Sequence, residues 1–402
     1  MRKTWVIIMK QVLKKVIKVP ILLIYRVFLL FQKVDRKVIL FESNLGRNYS
    51  GNPRFIYEEI VARGLDQKFA CYFILEDTTT QLPGHVKKIK RISLSYFYLF
   101  AKAGFWVSDT RMPTYLKKRK DTVYIQTWHG TPLKKLALDM EQVSMEGEKG
   151  LQDYKKKFVR NSSTWDYLIS QNSYSTQIFR RAFSFEKEVL EIGYPRNDIL
   201  FHQNNKEAIQ AIKQKLHLPL DKKVILYAPT WRDNEHYGHL TYRLSSRMDY
   251  SYLMDRLSKE YIVLLKAHYL VGEQLDDRKY RGFLYQFNAS CDIAELYLAA
   301  DMLITDYSSV MFDYSILKKP MIFFTYDLEQ YKDELRGFYF DFLNEAPGPF
   351  ALTTEQVVAN ILQYDVEKYQ AKYRAFIEKY NHADCGTASE RVVDLILSGG
   401  GK

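Results

Sequence analysis

The sequence predicts an α/β protein with two parallel, Rossmann-type halves, and three observations support this fold class. Short apolar segments that read as strands alternate with helical segments, which is typical of parallel α/β layers. The strand candidates form two series, separated by a polar helical connector at roughly residues 201–217. The apolar fraction of 47% is high enough for each half to bury a core and too high for a disordered chain.

The strand candidates define the domain organisation that we expect. The first series comprises 37–41, 69–75, 105–107, 123–127, 167–169 and 188–192. The second series comprises 224–227, 261–265, 283–287, 302–304 and 321–324, and the chain from about Thr353 reads as helical. We therefore predict an N-terminal basic segment (1–34), two Rossmann-like domains (35–205 and 206–375), and a C-terminal helix with a tail (376–402), with a cleft between the two halves.

The composition limits the functional classes. The three cysteines are scattered without a C-x-x-C pair, which excludes a disulfide scaffold and a cysteine-type zinc site and fits a reducing compartment. The net charge is +12, but ten basic residues and one acid lie in residues 1–40, which therefore carry +9. The remaining chain is nearly neutral at +3, so the basic character belongs to one N-terminal arm.

The arm has the pattern of a helix that lies on a membrane surface. On a helix at 100° per residue, the lysines of residues 3–18 fall on one arc of about 140°, and Trp5 with most of the aliphatic residues fills the opposite side. The apolar run 21–31 is too short to cross a bilayer and is interrupted by Arg26. A spanning anchor and a helix packed on the protein body are the alternatives. The large apolar side argues against nucleic acid as the partner.

A histidine follows one buried strand candidate. The block W-H-G-T-P (128–132) comes directly after the strand candidate 123–127, with Pro132 in a position that suits a first helical turn. His129 would then lie at the strand's end, where parallel sheets bind ligands. Since a histidine titrates near neutral pH, His129 is a candidate general base, with a structural histidine as the alternative.

Two strand ends of the second series carry basic residues. The block A-P-T-W-R-D (228–233) places Thr230 and Arg232 after a strand, where the arginine would hold a phosphate or pair with Asp233. The block K-A-H (266–268) follows the strand candidate 261–265. Strand alternation puts Lys266 and His268 on one face, as an anion clamp or as parts of the core.

The segment 301–320 reads as strand, turn, helix and strand. Ser308 and Ser309 lie where the helix is expected to begin, so their hydroxyls and backbone N–H groups would bind phosphate or cap the helix. Asp313, one turn further on, would contact a ribose hydroxyl or cap a neighbouring loop. The sequence contains no H-E-x-x-H, D-x-D or Walker A motif, so we expect no tightly bound metal or other cofactor, while a loosely associated Mg²⁺ stays open.

Together these blocks resemble the CDP-glycerol glycerophosphotransferase family, which builds the polyol-phosphate chains of teichoic acids. The resemblance covers roughly residues 35–380 and rests on W-H-G-T-P-L-K (128–134), G-Y-P-R-N-D (193–198), A-P-T-W-R-D (228–233), K-A-H (266–268) and T-D-Y-S-S-V-M-F-D (305–313). One departure is Tyr269, where proline is expected in many members.

The resemblance implies a GT-B-like fold with an acceptor-side domain and a CDP-polyol-binding domain. It implies an enzyme at the cytoplasmic face of the cell membrane that transfers a polyol phosphate from a CDP-polyol to an undecaprenyl-diphosphate-linked acceptor and releases CMP. His129 would deprotonate the attacking hydroxyl. His268 would be the second catalytic residue and, with Arg232, Ser308 and Ser309, would hold the diphosphate and stabilise the charge that develops on CMP. The residues expected to support donor binding are Lys266, Asn197, Thr230 and Asp313.

Three alternatives remain open at the level of the sequence: a CDP-ribitol transferase of the same family, a GT-B glycosyltransferase that uses a nucleotide sugar, and a membrane-bound binding protein without catalysis. The sequence does not distinguish a primase from a polymerase, nor does it give the oligomeric state.

Overall fold

The structure is a computed structural model of the 402-residue chain. It describes residues 20–143, 150–230, 247–266, 278–288, 291–328, 337–339 and 341–401. The predicted amphipathic helix 3–18 lies outside these residues, as do Arg232 and His268.

The first sheet has seven strands. They are β1 (Asp35–Glu42), β2 (Ala70–Leu75), β3 (Lys87–Lys90), β4 (Ala103–Ser108), β5 (Val123–Gln126), β6 (Tyr167–Ser170) and β7 (Glu188–Glu191). Their order in the sheet is β3-β2-β1-β4-β5-β6-β7. Neighbouring strands from β3 to β6 run parallel. Their carboxyl ends therefore share one edge of the sheet.

The second sheet has six strands, all paired in parallel. They are β8 (Lys223–Ala228), β9 (Tyr261–Lys266), β10 (Leu284–Phe287), β11 (Met302–Thr305), β12 (Met321–Phe324) and β13 (Phe350–Ala351), in the order β10-β9-β8-β11-β12-β13. β8 and β11 lie at the centre of this sheet, and nearly all of their residues are buried. Polar residues that follow these two strands are therefore presented at the edge formed by their carboxyl ends.

Helices connect the strands in both parts of the chain. They are α1 (20–31), α2 (Gly51–Ala62), α3 (Leu94–Lys102), α4 (Leu151–Ser162), α5 (Ser173–Ala182), α6 (Asp198–His202), α7 (Lys206–Lys215), α8 (Tyr250–Leu257), α9 (Ile293–Ala299), α10 (Val310–Tyr314), α11 (Phe342–Glu345), α12 (Thr354–Leu362), α13 (Val366–Tyr380) and α14 (Ala388–Leu397). The polar connector is confirmed as the helical pair α6 and α7. Side-chain caps begin several helices; in α5, for example, Asn172 accepts a hydrogen bond from the backbone N–H of Ser175 at 2.7 Å.

The predicted α/β class with two parallel sheets is confirmed, and every predicted strand is present. Two further strands, β3 and β13, were not predicted from the sequence. β3 reads Lys-Lys-Ile-Lys at the edge of its sheet, where half of it faces solvent, so it lacks the apolar alternation that marks a strand. β13 is only two residues long.

The chain forms two compact units, each built from separate segments. One comprises residues 1–128, 160–168 and 390–402, and the other comprises 129–159 and 169–389. The domain boundaries given above stay a prediction.

α1 combines one buried anchor with an exposed apolar face. The Tyr25 side chain is 2% exposed, its hydroxyl donates to the Lys117 carbonyl at 3.2 Å, and it accepts from the Lys117 N–H at 3.1 Å. Large apolar side chains on the same helix face solvent, with Leu30 and Phe31 each 78% exposed. Among the described residues, no helix is both long and apolar enough to cross a membrane.

Candidate active site

His129 lies in a turn that directly follows a buried strand. All four residues of β5 are buried. The chain then turns through Trp128, with φ of 53°, and Gly130, with φ of 155°. A positive φ is costly for a side chain such as tryptophan, so the surrounding structure must hold this turn in place. The strand-end position predicted for His129 is therefore present in the structure.

The helix expected from Pro132 onward is absent, and this part of the prediction is wrong. Residues 133–135 are extended because they pair in antiparallel fashion with residues 337–339. Lys134 forms a bridge with Phe338, the Lys135 N–H donates to the Gly337 carbonyl at 3.2 Å, and the Tyr339 N–H donates to the Leu133 carbonyl at 2.9 Å. These long-range hydrogen bonds outweigh the local preference of proline for a first helical turn.

The turn at His129 contacts the turn that contains Ser308 and Ser309 and connects β11 to α10. We call this segment the serine turn. β11 ends at Thr305, and α10 begins at Val310 with Ser309 as its N-cap residue, so the helix start predicted from the sequence is observed. A Cβ atom built on Gly130 would lie 2.9 Å from Ser309 Oγ. The serine hydroxyl does not cap the helix. The structure therefore brings two predicted site segments, 129–130 and 308–309, into direct contact.

Arg196 connects the backbone at His129 to Asp313. One nitrogen of its guanidinium, Nη1, donates to the His129 carbonyl at 2.8 Å, and the other, Nη2, contacts Asp313 Oδ2 at 2.5 Å. The Asp313 side chain is only 2% exposed and that of Arg196 is 15% exposed. Charge-assisted hydrogen bonds of this kind, formed away from water, are stronger than neutral ones.

A second, partly buried carboxylate lies next to this ion pair. Asn197 Nδ2 donates to Asp313 Oδ1 at 3.1 Å and to Asp384 Oδ1 at 3.3 Å, and Gln171 Nε2 donates to Asp384 Oδ2 at 2.8 Å. Burial raises the pKa of Asp384 to about 7, and the nearby charge of Asp313 adds to the effect. Two carboxylates in one buried site favour protonation of one of them.

The same network extends to Thr131. Its hydroxyl donates to Gln171 Oε1 at 2.6 Å, which leaves the Gln171 amide group to face Asp384. Asn172 Nδ2 donates both to the Thr131 hydroxyl, at 3.1 Å, and to the Tyr380 carbonyl, at 2.7 Å. Thr131, which directly follows Gly130, is thus tied to buried polar side chains.

Two other predicted donor-binding residues, Thr230 and Lys266, lie at further strand ends of the second sheet. The Thr230 N–H donates to Asp306 Oδ1 at 2.8 Å, which joins the ends of β8 and β11. Lys266 Nζ donates to the backbone carbonyls of Asn288 and Cys291, and burial lowers its pKa. In this structure the Lys266 amine therefore binds two backbone carbonyls of the segment that follows β10.

The site also contains residues that the sequence analysis did not single out, namely Arg196, Gln171 and Asp384. Arg196 belongs to the G-Y-P-R-N-D block, from which only Asn197 was selected. A signal was present, because the block contains an arginine and an aspartate, and charged side chains that become buried need partners. In the described part of the chain, no three His, Cys, Asp or Glu side chains are grouped so that they could hold a metal ion.

Comparison with known proteins identifies the family. The model of CDP-glycerol:poly(glycerophosphate) glycerophosphotransferases matches residues 23–398. The chain belongs to this family. The resemblance seen in the sequence is thereby confirmed.

Relatives and a solved structure agree with this assignment. The chain is 46% identical over 366 residues to the teichoic acid poly(glycerol phosphate) polymerase of Bacillus subtilis strain 168, covering 90% of this chain and 49% of the relative. It is 40% identical over 406 residues to the teichoic acid glycerol-phosphate transferase of Staphylococcus aureus strain NCTC 8325, covering 96% of this chain and 99% of the relative. A histidine-to-asparagine variant of the wall teichoic acid polymerase TagF, soaked with CDPG, superposes with a TM-score of 0.88 at 40% identity, covering 96% and 95% of the two chains. The chain thus spans about half the length of the Bacillus polymerase and nearly all of the Staphylococcus transferase.

Proposed function

We propose that this protein transfers glycerol phosphate from CDP-glycerol to a hydroxyl of a lipid-linked teichoic acid precursor and releases CMP. The observation that carries the proposal is the family match over residues 23–398, together with the contact between the His129 turn and the Ser309 turn. The relatives are named as glycerol-phosphate polymerases and transferases, and the similar TagF structure was soaked with CDPG.

In the proposed reaction, His129 accepts the proton of the acceptor hydroxyl. The hydroxyl oxygen then forms a bond to the glycerol-bearing phosphorus of the donor, while the bond from that phosphorus to the oxygen of CMP breaks. Transfer of this kind depends on positioning and on the neutralisation of charge on the phosphate oxygens. The serine turn lies beside the His129 turn, so a donor phosphate bound by Ser308 and Ser309 would be close to the base.

The remaining predicted residues would bind the donor. Arg232 and His268 would neutralise the diphosphate, with support from Lys266, Thr230 and Asn197. Asp313 was predicted to contact the ribose. In the structure both of its oxygens already accept hydrogen bonds, from Arg196 and from Asn197. The proposal needs no tightly bound metal, since the sequence has no metal-binding motif, and it leaves room for a loosely associated Mg²⁺.

We place the enzyme at the cytoplasmic face of the membrane, where an undecaprenyl-diphosphate-linked acceptor would be presented. Two features support this location. The arm carries +9, a charge suited to anionic headgroups, and α1, which lies within the arm, exposes apolar side chains. A GT-B arrangement of the two halves is part of the same proposal.

The test is to incubate purified protein with CDP-glycerol, CDP-ribitol or nucleotide sugars and a defined lipid-linked acceptor, with and without EDTA. We expect CMP release and acceptor products extended by glycerol phosphate, as sized by mass spectrometry. His129→Ala should lower turnover by about 10²–10⁴-fold, and His268→Ala by a similar factor. The control is His85→Ala, at an exposed histidine.

Each alternative predicts a different product. Ribitol-phosphate products would indicate a CDP-ribitol transferase, and UDP or GDP release would indicate a glycosyltransferase. Absence of turnover with every donor would indicate a binding protein. Near-wild-type activity of a folded His129→Ala variant would contradict the assignment of the base.

A further inference from the structure

We propose that Arg196 is a positioning residue, which fixes the peptide after His129 in place by bridging its carbonyl to the buried carboxylate of Asp313. This inference rests on the proposed function, because it assumes that His129 acts on the acceptor.

The first support is that the two terminal nitrogens of the Arg196 guanidinium bind different groups. Nη1 donates to the His129 carbonyl at 2.8 Å, while Nη2 contacts Asp313 Oδ2 at 2.5 Å. The His129 carbonyl belongs to the same rigid peptide plane as the Gly130 N–H, so a bond to this oxygen fixes the orientation of the whole unit. Gly130 has no side chain to restrict its backbone, and its φ of 155° is held by its surroundings.

The second support is that the other end of the bridge is itself fixed. Asp313 lies in α10, in the turn that follows Ser309, and its second oxygen accepts from Asn197 Nδ2 at 3.1 Å. α10 is also tied to the chain after α13, because Asn381 Nδ2 donates to the Phe312 carbonyl at 2.7 Å and the Ser315 hydroxyl donates to Asn381 Oδ1 at 2.6 Å. Arg196 therefore holds the His129 turn against an element that carries the serine turn.

The third support is the close approach of the two turns. The position of a Cβ on Gly130 lies 2.9 Å from Ser309 Oγ and 3.6 Å from Arg196 Nη2. The peptide is thus confined between the serine and the guanidinium. A general base must come within hydrogen-bond reach of its proton, and a displacement of about 1 Å lowers the rate by about 10²-fold. Loss of the bridge should therefore act on the chemical step more than on donor binding.

The competing explanation is that Arg196 only compensates the buried charge of Asp313. Two variants distinguish the explanations. Arg196→Lys keeps a positive charge but loses the planar guanidinium. Only the guanidinium reaches both the His129 carbonyl oxygen and Asp313 Oδ2. The double variant Arg196→Met with Asp313→Asn removes both charges, so it leaves no buried charge without a partner.

The matched control is Arg181→Lys. Arg181 also forms a forked pair, with Nε and Nη2 at 3.1 and 2.8 Å from Asp139 Oδ2, and it lies in the same compact unit. Neither member of this pair is among the proposed site residues. Loss of the two-nitrogen contact between Arg181 and Asp139 should leave the turnover of the enzyme unchanged within about twofold.

The experiment measures steady-state kinetics and the histidine signals in ¹³C NMR on the full-length variants, after circular dichroism has confirmed folding. We expect kcat to fall about 10–100-fold in Arg196→Lys and in the double variant, and in Arg196→Lys we expect KM for CDP-glycerol to stay within about threefold of wild type. We also expect the His129 signal, assigned by its loss in His129→Ala, to move or split in both variants and not in Arg181→Lys.

Three outcomes would overturn the inference: wild-type kcat in the folded double variant, a raised KM with unchanged kcat in Arg196→Lys, or an unmoved His129 signal in both variants. The NMR measurement needs no turnover, so it separates the two proposals. If the wild-type protein fails to release CMP from CDP-glycerol, the proposed function is wrong, while the His129 signals still report whether Arg196 holds the turn.

Discussion

Gly130 and Ser309 lie so close together that a side chain at position 130 would force Ser309 to shift. A Cβ at this position would lie 2.9 Å from Ser309 Oγ, which is shorter than the Cβ contacts found in proteins. The His129 turn and the serine turn are therefore packed together through a glycine, and this packing leads to a direct test.

Gly130→Ala should impair the site through two effects. The alanine adopts an unfavourable φ, which costs about 1–2 kcal/mol, and its methyl group pushes Ser309 away. We expect CMP release to fall by about tenfold or more and the free energy of unfolding in urea to decrease.

The matched control is Gly150→Ala. Gly150 has a similar φ of 149°, but nothing lies within 4 Å of a Cβ at that position. This variant should lose stability and keep its activity. Equal losses of activity in the two variants would show that backbone strain, and not contact with Ser309, is responsible.

Glu42 makes the stability of the protein dependent on pH. This carboxyl is fully buried at the end of β1, with Oε1 3.0 Å from Arg91 Nε, and burial raises its pKa to about 7 even though the charge of Arg91 acts in the opposite direction. Between about pH 4.5 and 7 the folded state therefore holds a proton that the unfolded state has released. The contribution of Glu42 to the free energy of unfolding falls as pH rises through this interval.

Glu42→Gln removes this titration and keeps an oxygen for Arg91. The difference in free energy of unfolding, variant minus wild type, should increase by about 1–3 kcal/mol from pH 5 to pH 8. Urea unfolding at several pH values measures it. A difference that stays constant over this range, or that decreases, would contradict the raised pKa.

Tyr25 anchors α1 through one hydroxyl that serves both backbone groups of Lys117. Tyr25→Phe leaves these groups without that partner, at a cost of about 1–3 kcal/mol. We expect faster tryptic cleavage at the exposed Arg26. The control is Tyr98→Phe, which keeps the ring that packs against Phe28 and should leave the cleavage rate within about twofold. Similar acceleration in both variants would argue against the hydroxyl as the anchor.

The exposed face of α1 should contribute to membrane binding. Replacing Leu23, Leu30 and Phe31 with serine removes apolar area that is 55–78% exposed. Since each side chain contributes about 1 kcal/mol or more when it enters a bilayer interface, the binding constant for anionic vesicles should fall by about tenfold or more. Sedimentation with vesicles measures this change.

Exposed leucines elsewhere provide the control. Leu343, Leu352 and Leu362 are 43–55% exposed, and their replacement by serine should leave vesicle binding unchanged. Equal losses for the two triple variants would indicate non-specific adsorption, and no loss for either would contradict a role of α1.

The sequence predicted the strands well and the site only in part, for identifiable reasons. Buried strands such as β8 are short continuous apolar runs, which are visible locally. The extended conformation at Lys134 was missed because its partner, Phe338, lies about 200 residues away in the sequence. The position of Ser309 at a helix start could be predicted, since serine is preferred directly before the first helical turn, although its hydroxyl forms no capping hydrogen bond here.

The buried polar network could not be predicted in the same way. Asp384 lies after α13, far in sequence from Gln171 and Asn197, and its neighbours in sequence give no sign of a carboxylate with a raised pKa. Its environment arises only when three distant segments pack together. Arg196, in contrast to Asp384, lies in a motif that the sequence reveals, the G-Y-P-R-N-D block. The motif does not reveal which two oxygens the Arg196 guanidinium will bridge.

The contacts of residues 399–400 have a consequence for synthesis on the ribosome. Arg36, in β1, donates to the Gly399 carbonyl across 363 residues of sequence, and the Tyr167 hydroxyl donates to the Gly400 carbonyl. The unit that contains β1 therefore obtains these two hydrogen bonds only after residues 399–400 have been synthesised. A nascent chain arrested before residue 390 leaves Arg36 and Tyr167 without these partners.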